Sequence, residues 1–206
     1  MLNTTMRRDS SIPSVEQGNR SPGFGLIANH LRTEQRQLVL DLGAAATPNI
    51  DFLSQLQCKV YVENLASVLD ALNAPRAEDD SHSTPTAAEQ ILSDAGDVCF
   101  DVVLAWDLLN YLTPAALGAL VERLRGFSKH GTLLFALMYN SKQIPGAPVV
   151  FKVLAEDRLH YGLNDSVLRS QSPYSMSDLK KKMAGFVVER TYLLQNNIQE
   201  YVFKFE

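Results

Sequence analysis

Two acids and a glycine are the residues best placed to do chemistry in this sequence. Asp41 closes the apolar run Leu38 to Leu42, and Gly43 follows directly. Glu63 closes a second run, Lys59 to Glu63, about 20 residues further on, the spacing at which a nucleotide-binding fold places its ribose-binding acid. A glycine after a strand lets the backbone approach a ligand closely. An acid ending the next parallel strand can accept both hydroxyls of a ribose. A tight turn followed by a surface glutamate would leave the same pattern, and both readings stand at this point.

A second group follows the run Cys99 to Ala105. Trp106 and Asp107 lie just past that strand. Asp107 is the candidate general base, with Tyr139 and His160 behind it; the alternative is that Asp107 starts the helix before Leu108. Trp106 suits packing better than cation binding. His160 and Tyr161 either line the crevice or pack in a lid. His130, beside Gly131 at a helix end, reads as a solvent-exposed dipole partner, and Lys180-Lys181-Lys182 as a solvated helix face. No Cys/His cluster has metal-ligand spacing, and neither a Gly-x-Ser-x-Gly turn nor a Walker loop is present.

Strands and helices must carry these residues to one place. Leu38 to Leu42 suits a strand covered on both faces. A helix from Thr47 or Asn49 to about Gln57 and the strand Lys59 to Glu63 complete a βαβ unit. Phe24 to Arg36 has helical spacing, and Leu65 to Leu72 reads as helical. Thr113-Pro114 is a helix start, with the helix running from Ala115 to about Phe127. The strand Thr132 to Leu137 follows, then a loop over Ile144 to Val150. Phe151 to Tyr174 is expected to be partly helical and to cover the crevice. Ser175 or Ser177 caps a helix to Ala184. Phe186 to Leu194 and Gln199 to Phe205 are joined by so few residues that they must form an antiparallel hairpin. A third strand is expected between Ala66 and Asp97, with no residues marking its place. The polar stretch Asn73 to Thr86 reads as a solvated loop.

The 206 residues suffice for one domain with a full core and not for two nucleotide-binding domains. The polar residues 1–21 read as a mobile arm and 22–206 as a single domain. The net charge of -4 disfavours nucleic acid as a partner. No apolar run is long enough to cross a bilayer, and Arg7-Arg8 lead into no apolar stretch of the kind a signal peptide needs. Cys58 and Cys99 read as buried, reduced thiols, which fits a cytoplasmic location. After Gly43 come Ala44, Ala45, Ala46, Thr47 and Pro48. The later glycines that let a pyrophosphate approach are missing, which argues against NAD.

In this order the segments resemble the class I S-adenosylmethionine-dependent methyltransferases. Leu38 to Gly43 resembles that family's first motif and Val60 to Glu63 its second. Phe100 to Leu112 resembles its fourth-strand segment, Gly131-Thr132-Leu133-Leu134 its approach to strand five, and Asp178-Leu179 through Ala184-Gly185-Phe186 its passage into strand six. The resemblance spans roughly Gly25 to Phe205. It implies an α/β, three-layer Rossmann-like fold of about seven strands, mostly parallel, with an antiparallel C-terminal hairpin strand. It implies S-adenosylmethionine as cofactor, with Asp41 holding the methionine ammonium through water. Gly43 and Ala45 would give backbone contacts, Glu63 would grip the ribose, Asn64 or Leu65 would lie by the adenine, and Trp106 and Asp107 would face the sulfonium and the substrate. The acid contacting adenine is unassigned, between Asp94 and Asp97.

Alanine at 45 and threonine at 47 stand where the family carries glycines, so its first motif is degenerate here. No Asn/Asp-Pro-Pro-Tyr signature follows strand four, which disfavours that route to amino methylation. Methyl transfer draws mostly on in-line positioning, and needs a base only if the acceptor carries a proton. The expected activity is therefore methyl transfer to a small molecule or a protein group. The alternative is a methyltransferase-like scaffold or regulatory protein without catalysis. A protein partner or a homodimer stays open.

Overall fold

A computed structural model of the chain describes residues 18–74, 87–93, 95–162 and 167–206. In chain order the elements are β1 (Asn19–Arg20), α1 (Pro22–Leu31), β2 (Leu38–Asp41), α2 (Thr47–Gln55), β3 (Lys59–Val62), a 3-10 turn (Leu65–Val68), α3 (Leu69–Asn73) and α4 (Ala87–Gln90). There follow β4 (Phe100–Trp106), a second 3-10 turn (Leu108–Tyr111), α5 (Pro114–Arg125), β5 (Ser128–Tyr139) and β6 (Gln143–Pro145). The chain ends with β7 (Lys152–Ala155), β8 (Arg158–His160), β9 (Leu168–Ser170), α6 (Met176–Lys182), β10 (Phe186–Leu193) and β11 (Ile198–Phe205).

The central sheet has six strands in the order β10-β11-β5-β4-β2-β3. The β3, β2, β4 and β5 strands run parallel, while β11 is antiparallel to both β5 and β10. The last strand of the chain is thus inserted between β5 and β10. Alternate residues of the sheet feed two cores. Val39, Val102 and Leu104 pack with Phe24, Ile27 and Leu31 of α1 and Leu53 of α2. Leu40, Val103 and Ala105 pack with Leu117, Leu120 and Leu124 of α5 and Leu179 of α6. Period-2 alternation between two helical layers makes three layers.

Helix starts follow the expected chemistry. The Thr113 side chain accepts from the Ala116 N–H with Pro114 in the first turn, and Ser175 and Asp178 form a reciprocal capping box. The expected seventh strand is absent among the described residues between Ala66 and Asp97, which instead form helical turns. Residues 75–86 and Asp94 of that stretch lie outside the described residues.

Three expectations are corrected. Phe151 to Tyr174 holds no helix among its described residues; it contains β7, β8 and β9. Val153 and Leu159 are opposite each other and buried, so the apolar residues serve a hairpin ladder rather than a helix face. The loop expected over Ile144 to Val150 begins inside a short strand, since β6 pairs with β9. Cys58 is buried as expected, but Cys99 is exposed at the approach to β4; both are free thiols.

Residues 18–21 of the expected arm are held in place, whereas 1–17 lie outside the described residues. Asn19 and Arg20 pair with Leu159 and Arg158. Ser21 is buried and donates its hydroxyl to Glu200, whose other oxygen accepts the Gly23 N–H at 2.7 Å. A carboxylate thus meets the first turn of α1, where unpaired N–H groups favour negative charge. Glu200→Ala leaves both donors without their acceptor, and a loss of about 2–3 kcal/mol is expected from urea unfolding at pH 7. Glu200→Gln keeps an acceptor and should lose less. Equal loss in the two variants would show that the hydrogen bonds do not carry the effect.

Candidate functional site

The carboxyl ends of β2, β3 and β4 meet where the chain turns to opposite sides of β2, the switch point at which open α/β sheets bind ligands. The Glu63 N–H bonds the Asp41 carbonyl at 2.8 Å, so the ends carrying the two acids are adjacent. Asp41 is fully buried, Glu63 half-buried, and Ala45 and Asn64 exposed. The Glu63 carboxylate has no hydrogen-bond or ion-pair partner among the described residues and stays available.

Asp41 is engaged by the chain itself. The Trp106 indole N–H donates to Asp41 Oδ1 at 2.6 Å, and the Gly43 N–H donates to the same oxygen at 2.9 Å. Asp41 Oδ2 is buried with no partner. Burial pushes the Asp41 carboxyl up, against the pull of these two donors. The indole also explains Gly43. A Cβ on residue 43 would lie 2.7 Å from Trp106 Cδ1, so no side chain fits. The close approach that the glycine permits is made by tryptophan.

Trp106 reaches this place through its backbone. It has φ of +49°, a left-handed conformation uncommon for a bulky residue, at an irregularity in the β4–β5 register. The indole lies parallel to the Phe151 ring, 5.6 Å away at 5°, and stacks on Phe24 at 5.9 Å. Phe151 is held by Asn49, whose amide donates to the Phe151 carbonyl and accepts from the Val153 N–H.

Beside the indole lies a cleft of about 290 Å³ counting its solvent-open mouth, lined by Gly43, Ala44, Trp106, Asp107 and the 148–150 loop. Its closed part has room for water and nothing larger. With the indole in this position, the residues do not fit an adenosyl group beside Gly43.

Asp107 forms the floor. It is 1 % exposed and does not cap the turn that follows it. Its Oδ2 accepts from the Tyr139 hydroxyl at 3.0 Å and the Val149 N–H at 3.1 Å, while Oδ1 is buried without a partner. Burial pushes its carboxyl up to about 7, only partly offset by those donors. Burial and the Asp107 charge raise the Tyr139 hydroxyl in turn. A carboxyl poised near neutrality can take or release a proton at the cleft floor.

The site therefore brings Asp41, Gly43, Trp106 and Asp107 together, with Tyr139 behind Asp107 and Glu63 next door. It leaves out His160 of β8, which pairs with Lys152 of β7, His130, which is exposed on β5 rather than at a helix end, and exposed Asp97. Sequence reasoning missed Asn110, Phe151 and Asn49. Asn110 donates to the Asp107 and Leu137 carbonyls and accepts from the Tyr139 N–H, tying the ends of β4 and β5 together. The available signal was an amide inside the apolar run Leu108 to Leu112.

No protein-family model and no curated protein matches the chain. Among solved structures it is similar to the PH0226 protein from Pyrococcus horikoshii OT3, with 13% identity, 88% of this chain and 87% of that chain covered, and a TM-score of 0.50. With the last strand inserted antiparallel beside β5, that likeness decides the architecture. The fold is Rossmann-like: three α/β layers around a mostly parallel sheet that ends in an antiparallel C-terminal hairpin. Also similar are 1,6-didemethyltoxoflavin-N1-methyltransferase from Burkholderia thailandensis (14% identity, 89% and 76% covered, TM-score 0.49) and magnesium protoporphyrin IX methyltransferase from Synechocystis PCC 6803 (15% identity, 90% and 81% covered, TM-score 0.45). Within this fold, the position of Trp106 on Asp41 is what sets this chain's site apart from the expectation drawn from its sequence. No helix among the described residues is long and apolar enough to cross a membrane, and no His/Cys/Asp/Glu group among them could hold a metal.

Proposed function

We propose that this chain is an S-adenosylmethionine-dependent methyltransferase acting on a small molecule or an exposed protein group. One observation carries the reading: the half-satisfied carboxylate of Asp41, buried at the end of the central strand beside Gly43, with the Glu63 N–H on the Asp41 backbone carbonyl. A buried carboxylate oxygen without a donor is costly, and a cationic group is the partner that would satisfy it best. Glu63 would take the ribose hydroxyls, with the Ala45 backbone and Asn64 beside them. Asp107 would accept a proton from an acceptor that carries one. The protein is read as one domain over 22–206, working in the cytoplasm, where Cys58 and Cys99 stay reduced; a homodimer or a protein partner would fit it equally.

The Trp106–Asp41 contact favours a second reading, a methyltransferase-like scaffold or regulatory protein that has filled its own cofactor site. Calorimetric titration with S-adenosylhomocysteine separates the two. The enzyme reading expects saturable heat, and at least a tenfold weaker affinity in Glu63→Ala, a variant at a half-buried position that should fold normally. Absence of heat in both the wild type and Trp106→Phe would leave the scaffold reading. Unchanged affinity in Glu63→Ala would remove the ribose role.

A further inference from the structure

We propose that Trp106 is a built-in competitor of the cofactor, an indole plug that must leave Asp41 before an adenosyl group can enter. This rests on the methyltransferase reading above. The indole N–H takes Asp41 Oδ1, an oxygen of the carboxylate that the resemblance assigns to the cofactor's ammonium. The ring edge sits so close to residue 43 that even a methyl group cannot come between them. The indole fills the space against Gly43 through which another group would reach Asp41 Oδ1, so the two cannot both be in place.

The plug is held and also releasable. Phe24 and Phe151 grip the ring from the α1 side and from the segment leading into β7. The 148–150 loop beside Phe151 forms the cleft's outer wall, and Val150 is 46% exposed. Against this hold stands the left-handed backbone at Trp106, a strained conformation for a bulky residue. The plug also leaves Asp41 Oδ2 unsatisfied, so a ligand able to serve both oxygens gains over it. The apparent affinity for the cofactor is then its intrinsic affinity multiplied by the open fraction. Residue 106, together with the loop that holds it, sets how readily the site loads.

The chain has a single tryptophan, so its fluorescence reports the plug alone. The wild type is expected to show a blue, acrylamide-protected emission that shifts red and becomes quenchable as S-adenosylhomocysteine saturates it. Trp106→Phe keeps an aromatic ring in the stack and removes the N–H, and is expected to bind S-adenosylhomocysteine at least tenfold more tightly. Binding by the wild type with unchanged emission and quenching, or weaker binding by Trp106→Phe, overturns the plug and leaves the methyltransferase reading intact. Failure of both proteins to bind overturns the methyltransferase reading, and the plug with it. The wild-type fluorescence stands alone should the variant not fold.

Discussion

Asp107→Asn should be more stable than the wild type at pH 8 and should lose that advantage as the pH falls to 5. The folded protein keeps a proton on Asp107 up to about pH 7, whereas an ordinary aspartate releases it near 3.8. Between those values the folded state binds more protons than the unfolded chain, so stability falls as pH rises through the window. From pH 5 to pH 8 this one group should cost the wild type about 2–3 kcal/mol. Asparagine keeps an oxygen for the Tyr139 hydroxyl and the Val149 N–H and has no charge to desolvate. Its N–H₂ group must then find a partner where Oδ1 now has none, which trims the gain. Around Asp107 the titratable groups are Tyr139 and Tyr111, with Arg169 over the Tyr111 ring. The two tyrosines are pushed further from neutrality, so they do not blur the transition. Urea unfolding at the two pH values measures the difference. The same offset at both would show that Asp107 is not the protonated group.

Trp106→Ala should cost about 3–5 kcal/mol, the range for removing a large aromatic from a packed core. The ring is 4 % exposed and contacts Phe24, Phe135 and Phe151. Its loss opens a cavity and strips Asp41 of its side-chain donor. Trp106→Phe should cost far less, because the stack survives. A thermal melt of both variants checks this. An alanine variant as stable as the wild type would mean that the indole is not packed where the structure places it.

The framework of the fold was legible because its signals are local. The apolar runs at 38–42 and 99–105 could only be buried strands, Thr113-Pro114 a helix start, and the short link after Leu194 a hairpin. Phe151 to Tyr174 was not legible. Val153 and Leu159 are buried by cross-strand pairing, and a hairpin of such short strands shows too little alternation to be told from a helix. The site was half legible. Asp41 and Gly43 announced a turn built for close approach, and the structure has that approach. That the approaching group is Trp106 depends on a left-handed backbone at residue 106 and on Phe151, which no spacing rule connects. Asp107 was visible as a candidate base, while its raised carboxyl comes from burial under the 148–150 loop, a tertiary fact.

The Trp106 indole N–H on Asp41 is the contact to test first. In a ¹⁵N-labelled sample, the sole tryptophan gives one indole N–H resonance whose exchange with solvent and response to pH are read directly. The hydrogen bond to buried Asp41 predicts a protected, slowly exchanging signal that moves when Asp41→Asn removes the carboxylate charge, and that loses its protection when S-adenosylhomocysteine binds. A fast-exchanging indole signal, indifferent to residue 41, would contradict the contact on which the site, the second reading and the plug all depend.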